Sequence, residues 1–136
     1  LKIIWMSINK IRVVKLKKFN NSIGDTMKYL SKKSSFFKGF GETYFSEIKK
    51  NKIKGWNYHK KYWCILCVPF GSVKFDFKDQ LDSKVRSITI GKKNYSTIIV
   101  PPKIYFSFKS KVALSLVVNT INGVHNKNET IKAPII

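Results

Sequence analysis

Apolar and polar residues alternate along short segments of the chain, which is the pattern of half-buried β-strands. The clearest example is segment 72–78, where apolar side chains at 73, 75 and 77 alternate with polar ones. Similar patterns predict strands at residues 11–16, 25–30, 42–48, 53–58, 62–69, 85–90, 97–100, 105–108 and 112–118. No segment shows convincing helical periodicity, and the strands recur at the spacing typical of an antiparallel all-β sandwich or barrel.

The length of 136 residues is that of about one domain. We expect a single domain over residues 1–136, with its core at about 11–121 and a polar tail at about 126–136 that is loosely ordered or docked on a neighbouring subunit. The longest apolar run, residues 62–70, is much shorter than the roughly 20 residues of a membrane-spanning helix, so no membrane insertion is expected. We expect the first residue to be Leu1 or Met6.

The chain is strongly basic, with 27 Lys and Arg against 7 Asp and Glu and a formal net charge of +20. This charge favours an anionic partner or ligand. Only Arg12 and Arg86 are arginines, the residue that reads guanine and binds phosphate bidentately. Since no RNA-binding motif is present either, nucleic acid is not the expected partner. The lysine excess is also what an AT-rich genome would encode.

Cys64 and Cys67 form a C-x-x-C sequence inside a predicted strand. Residues three apart on a strand point to opposite faces, unlike the cysteines of a thioredoxin-like turn. A structural zinc site would need two further ligands. We therefore expect two buried, reduced thiols and a cytoplasmic protein.

Three segments in the middle of the chain carry a family resemblance. They read GFGETYFSEI at 39–48, IKGWNYHKK at 53–61 and VPFGSVKFDF at 68–77, and are followed by ITIG at 88–91 and IVPP at 99–102. In this order they resemble the dTDP-4-dehydrorhamnose 3,5-epimerase family of cupins, over roughly residues 11–121. The resemblance implies a double-stranded β-helix (jelly roll), usually a homodimer, that binds a nucleotide-linked 4-keto sugar for cell-surface polysaccharide biosynthesis and uses no cofactor.

The chain departs from the family at four polar positions. The family uses a His as base, an Asp that holds this His and a Tyr as acid; Asn57 stands at the position of the base, and Ser115 or a close neighbour at that of the acid. Phe106 lies near a second family His, and residues 21–24 lack the Arg that contacts the nucleotide. A neutral amide cannot accept a proton at useful pH, so the standard 3,5-epimerase mechanism is not expected.

His59 is the remaining candidate for proton transfer. On a strand it shares a face with Asn57, two residues earlier. Segment 55–60 is similar to the R-G-x-H-x-H-K pattern of nucleotide-sugar 3,4-ketoisomerases and retains the second His and the Lys. Three functions remain open: an altered 3,5-epimerase, a 3,4-ketoisomerase that uses His59, and a non-catalytic barrel that binds sugar nucleotides. Alternatively, His59 has only a structural role, as a half-buried His that forms a hydrogen bond with a backbone carbonyl.

Four further expectations concern binding and assembly. Lys54 and Lys60 are candidates for the diphosphate, and Asn57 and Tyr44 for the sugar or base, although strand-edge lysines and core aromatics fit the same residues. No metal is expected, because only His59 matches the ligand positions of metal cupins. His125 is expected at the surface, and segment 3–16 is apolar enough to form a homodimer contact.

Overall fold

The computed structural model describes residues 6–80 and 82–133, which form antiparallel strands and one short 3-10 helix, Ile8–Lys10. Three of the expectations fall partly outside the described residues. Outside lie the candidate first residue Leu1, residues 3–5 of the predicted dimer segment and residues 134–136 of the predicted tail, whereas Met6 is described. The strands are β1 (Arg12–Lys15), β2 (Lys18–Phe19), β3 (Thr26–Met27), β4 (Glu42–Lys49), β5 (Ile53–His59), β6 (Cys64–Phe70), β7 (Ser72–Lys78), β8 (Arg86–Gly91), β9 (Ser96–Val100), β10 (Tyr105–Ser110), β11 (Leu114–Ile121) and β12 (Thr130–Lys132).

Two five-stranded sheets make up the fold. The first sheet has the order β1-β9-β6-β11-β4 and the second the order β12-β5-β10-β7-β8, while β2 and β3 form a small separate ribbon. Neighbours in each sheet are antiparallel, and several are far apart in the sequence. This arrangement confirms the predicted all-β jelly roll of the cupins.

The core lies between the two sheets. On β7, Val73, Phe75 and Phe77 are fully buried, as their alternation predicts. They share one apolar cluster with Phe106 and Phe108 of β10 and with side chains of β6, β9 and β11 in the opposite sheet. Burying each large side chain contributes roughly 1.5–3 kcal/mol, so this cluster holds the sheets together.

Residues between β1 and β4 cover the outer face of the first sheet. Phe36 packs there with Ile65 and Ile99, and Tyr29 contacts the same cluster. Strands β6 and β9 are therefore buried on both faces, which explains their nearly continuous apolar sequences. Cys64 faces the inner core and Cys67 the outer cluster, so the two buried thiols are free, as predicted.

The structure corrects three predicted elements. The predicted strand at 25–30 is only two residues long, Thr26–Met27, and the last core strand is shifted to Leu114–Ile121. The tail is not simply loose, because Thr130–Lys132 forms β12, which pairs with β5 of the same chain. Because of this pairing, Thr130 and Lys132 of the tail line the cavity between the sheets.

Candidate functional site

A cavity of about 810 Å³ opens between the two sheets. Its floor is apolar and its walls carry amide, hydroxyl, imidazole and ammonium groups. The lining residues are Tyr44, Ser46, Asn57, His59, Leu66, Phe106, Phe108, Val117, Asn119, His125, Lys127, Thr130 and Lys132. The volume lies within the range of small-molecule sites, and an apolar floor with a few polar groups is their usual composition.

His59 lies in the wall of this cavity and forms a close pair with Glu129, which lies outside the cavity lining. The Nδ1 atom of His59 lies 2.7 Å from Oε1 of Glu129, and the two side chains are only 11% and 6% exposed. The Thr130 hydroxyl lies 3.3 Å from the same nitrogen. A carboxylate at Nδ1 holds the proton there and leaves Nε2 as the ring's proton acceptor. His59 is thus held by a carboxylate and not by a backbone carbonyl.

Glu129 is held in its ionised form by several donors. Its Oε2 accepts the backbone N–H groups of Lys61, at 2.7 Å, and Tyr62, at 3.0 Å. Burial acts to raise the pKa of Glu129, but the Lys61 amide, the His59 side chain and the Tyr62 amide together bring this pKa below its usual value. The pair therefore consists of an anchored carboxylate and an oriented imidazole.

Asn57 lies beside His59 on the cavity wall, as strand alternation predicts. Its Cα partners are Phe106 on β10 and Lys132 on β12. Across the cavity, β11 contributes Val117 and Asn119. Two carboxamides, one from each sheet, thus supply neutral hydrogen-bond donors and acceptors to any bound molecule.

Tyr44 lines the cavity from β4, in the sheet opposite His59. Desolvation, together with a hydrogen bond to Glu42 and the charge of that carboxylate, raises the pKa of Tyr44 to about 12. Its phenol therefore keeps its proton at neutral pH. Tyr44 thus lies at the cavity, and its role in binding the sugar or base stays a prediction.

The two predicted lysines lie in different places. Where β10 pairs with β5, a register shift sets Lys54 opposite Phe108 while Asn57 is opposite Phe106, so Lys54 shares the inner face of β5 with Asn57. The Lys54 Nζ contacts, at 2.7 Å, the hydroxyl of Ser46 on β4, which lines the cavity. Lys60 follows the last residue of β5 and is exposed near Asn126 and Asn128 instead. Lys54 therefore lies at the rim of the cavity, on the β4 side, and Lys60 lies outside the cavity.

Ser115 also lies away from the cavity. It is fully buried, and its Oγ accepts the Ser72 N–H at 3.0 Å and contacts the Ser110 hydroxyl at 2.7 Å. These contacts fix the turn between β6 and β7, so Ser115 itself does not line the cavity, whereas close neighbours on β11 do. On β11, it is Val117 and Asn119 that reach the cavity.

The C-terminal segment supplies site residues that sequence reasoning missed. Glu129, Thr130 and Lys132 reach the site because β12 pairs with β5, and Lys127 lies in the preceding turn. The exposed His125 also lines the cavity, and its backbone N–H donates to Glu42 at 3.0 Å. Glu129 is 70 residues away from His59 in the sequence. A polar segment of this kind has no local sequence pattern that would assign it to a site.

Within residues 6–80 and 82–133, no group of three or more His, Cys, Asp or Glu side chains is arranged to hold a metal ion. No helix in the same part of the chain is long and apolar enough to cross a membrane. The polar groups at the site are imidazole, carboxylate, carboxamide, phenol, hydroxyl and ammonium groups.

Known structures resemble this one closely. A dTDP sugar isomerase from Desulfovibrio desulfuricans G20 has 25% identity and a TM-score of 0.85, covering 92% of this chain and 84% of that one. A mutant 3,4-ketoisomerase from Thermoanaerobacterium thermosaccharolyticum, in complex with TDP-4-keto-6-deoxyglucose, has 18% identity and a TM-score of 0.77, covering 93% and 88%. A dTDP-6-deoxy-D-glucose-3,5-epimerase from Legionella pneumophila, in complex with dTDP-4-keto-L-rhamnose, has 15% identity and a TM-score of 0.82, covering 99% and 78%.

No protein-family model matches the sequence, and no curated protein sequence does. The structural likeness nevertheless extends over nearly the whole chain and includes the segments that carry the sequence resemblance. The chain therefore has the jelly-roll fold of the dTDP-4-dehydrorhamnose 3,5-epimerase-like cupins, and the resemblance stated from its sequence is confirmed.

Proposed function

We propose that this protein is a dTDP-sugar isomerase that moves the ketone of a 4-keto sugar from C4 to C3, with His59 as the proton-transferring residue. The observation that supports the proposal most directly is that His59, in the wall of the cavity, is held by the Glu129 carboxylate at 2.7 Å. The likeness to a dTDP sugar isomerase and to 3,4-ketoisomerases supports the substrate class.

The proposed reaction needs one base and a stabilised enediolate. Nε2 of His59 removes the proton from C3, and the electron pair of that C–H bond forms the C3=C4 double bond while the C4 ketone becomes an oxyanion. The amide hydrogens of Asn57, next to His59, donate to this oxyanion. The imidazolium then returns the proton to C4, the hydroxyl proton at O3 moves to O4, and the ketone is left at C3.

Asn57 thus has a role different from that of the base whose position it occupies. A carboxamide cannot take the proton, but it can stabilise negative charge without changing its own protonation state. Glu129 orients His59 and offsets the charge of the imidazolium, as a carboxylate does behind a catalytic histidine in other enzymes.

A 3,5-epimerase is the second candidate, and Tyr44 favours it. Epimerisation removes a proton from one face of the sugar and returns one on the other face. His59 and Tyr44 come from opposite sheets, and a phenol whose pKa is raised to about 12 holds a proton to give. In this reaction the protons at C3 and C5 both exchange with solvent, whereas the ketoisomerase removes the proton at C3 and adds one at C4.

The test is incubation with a dTDP-4-keto-6-deoxy sugar in D₂O, followed by NMR. Deuterium at C4 of a 3-keto product supports the ketoisomerase, and deuterium at C3 and C5 of a 4-keto product supports the epimerase. His59→Asn should reduce exchange by a factor on the order of 10² to 10⁴ while dTDP still binds. Binding of the sugar nucleotide by the parent protein without any exchange would favour the non-catalytic barrel.

The cellular setting is proposed from the family resemblance and from the state of the two cysteines. We propose a cytoplasmic homodimer whose product is used in cell-surface polysaccharide biosynthesis. The free, buried state of Cys64 and Cys67 is consistent with a reducing compartment.

A further inference from the structure

The C-terminal segment 125–132 brings two lysines to the cavity at the side of His59. We propose that Lys127 and Lys132 bind the diphosphate of the nucleotide sugar, in place of the predicted Lys54 and Lys60; the inference rests on the proposed function. The ligand chemistry is a nucleoside diphosphate, whose phosphate oxygens carry the negative charge.

Strand register fixes the position of Lys132. Its Cα partner on β5 is Asn57, and the Cα partner of Thr130 is His59. Thr130 and Lys132 are two residues apart, so they share the face of β12 that lines the cavity. A phosphate held by Lys132 therefore lies next to the residues assigned to the sugar.

Both lysines present uncompensated charge. Within the part of the chain that the structure describes, neither Lys127 nor Lys132 forms an ion pair with a carboxylate. Both are exposed at the cavity, so their ammonium groups are accessible to a ligand. The predicted Lys54 lies at the β4 side of the cavity rim, where its ammonium contacts the Ser46 hydroxyl, and the Lys60 side chain lies outside the cavity.

Glu129 anchors the segment between the two lysines. Besides its side-chain contacts, its backbone carbonyl accepts the Lys60 N–H at 3.0 Å, and its own N–H donates to the Asn126 carbonyl at 3.0 Å. The lysines are therefore carried by a short backbone segment that is fixed against β5. A fixed segment loses little backbone freedom when a ligand binds.

Charge is distributed unevenly around the cavity mouth. Glu42 lies at the β4 side, where its carboxylate accepts the His125 N–H and contacts Tyr44. An anion is repelled from that side and attracted to the β12 side. The sugar of a ligand placed in this way extends towards Asn57 and His59.

The test compares the binding of dTDP and of thymidine by calorimetry in the full chain. Lys127→Met and Lys132→Met should each weaken dTDP binding roughly fivefold to tenfold, the value of a charge-assisted contact, and leave thymidine binding unchanged. Lys132→Arg should retain dTDP binding. The matched control is Lys93→Met, an exposed lysine between β8 and β9 that is not part of the cavity wall.

Each outcome has a definite meaning. Loss of dTDP affinity in both Met variants, with the control unchanged, supports the inference. If the parent binds dTDP and both variants bind it equally well, or lose thymidine to the same extent, the diphosphate assignment is wrong while the proposed function stands. If the parent binds neither dTDP nor a dTDP sugar, the proposed function fails and the inference fails with it.

Discussion

Glu129 is a buried carboxylate, and both of its oxygens have hydrogen-bonding partners. Two backbone N–H groups and the His59 imidazole surround it, and Thr130 donates at 3.3 Å. Removing such a charge from water is costly unless hydrogen bonds replace the lost hydration. At the scale of the residue, the site therefore depends on a charge that is kept ionised so that a neighbouring ring keeps one orientation.

Replacing Glu129 by Gln tests this orienting role. The variant keeps the size of the side chain but removes the charge, so the imidazole loses the partner that fixes its Nδ1 proton. We expect kcat for solvent exchange to fall by about 10², with KM changed much less. Glu47→Gln, on the exposed side of β4, is the matched control. An equal rise in KM with kcat unchanged would contradict the orienting role.

Glu129 also gives the stability a defined dependence on acid. Because its pKa is lowered in the folded state, it contributes stability above the unfolded value of about 4.3 that is lost as pH falls through the folded pKa. The parent should therefore lose more stability between pH 5 and pH 3 than Glu129→Gln does. Urea unfolding midpoints measured across this range check the difference; parallel pH profiles would contradict it.

At the scale of elements, β11 contributes side chains both to the cavity and to a tightly packed turn. Val117 and Asn119 reach the cavity, whereas Ser115 packs directly against Gly71 of the β6–β7 turn. An added Cβ at Gly71, whose φ is +88°, would lie 2.2 Å from the Ser115 Oγ. The close fit explains why a glycine and a small hydroxyl residue occur together there.

Ser115→Ala should therefore affect stability and not activity. The change leaves the Ser72 N–H without its acceptor, which we expect to cost about 1–3 kcal/mol of unfolding free energy. Binding of dTDP should stay as in the parent. Ser87→Ala, which removes an exposed hydroxyl on β8, is the control and should cost less than about 0.5 kcal/mol. Loss of activity without loss of stability would contradict this structural role of Ser115.

The strands of this fold were predictable where alternation or β-branched content was strong, as in β7, which the structure reproduces residue for residue. Asn57 and His59 were correctly placed on one face for the same reason. The partner of His59 was not predictable, because β12 has only three residues and its pairing with β5 is a long-range event. Lys54 comes to the face of Asn57 only through a register shift, which has no sequence signature.

At the scale of the whole molecule, assembly must overcome a net charge of +20 per chain. Both edges of the first sheet, β1 and β4, lack a strand partner on one side within the described residues, and Phe45 on β4 is 74% exposed. Open edges and apolar side chains favour pairing with a second copy, and like charges oppose it.

We expect the proposed homodimer to become more stable as salt is added. Salt shortens the range of repulsion to about 8 Å at 0.15 M, while the apolar contacts remain. Light scattering should give a mass of twice 15.8 kDa at moderate salt, with more monomer at low salt. A monomeric mass at every salt concentration would contradict the proposal.

The opposite orientations of Cys64 and Cys67 give this protein two built-in chemical reporters of its opening motions. Burial raises the pKa of Cys64 to about 12 and that of Cys67 to about 11, so neither reacts as a thiolate in the closed protein. Cys67 lies under Tyr95 and Tyr29, so its thiol becomes accessible when the segment between β1 and β4, which carries Tyr29, moves away from the sheet. The thiol of Cys64 becomes accessible only when the two sheets separate. The rates of labelling by a thiol reagent should therefore differ, with Cys67 following local opening and Cys64 following global unfolding.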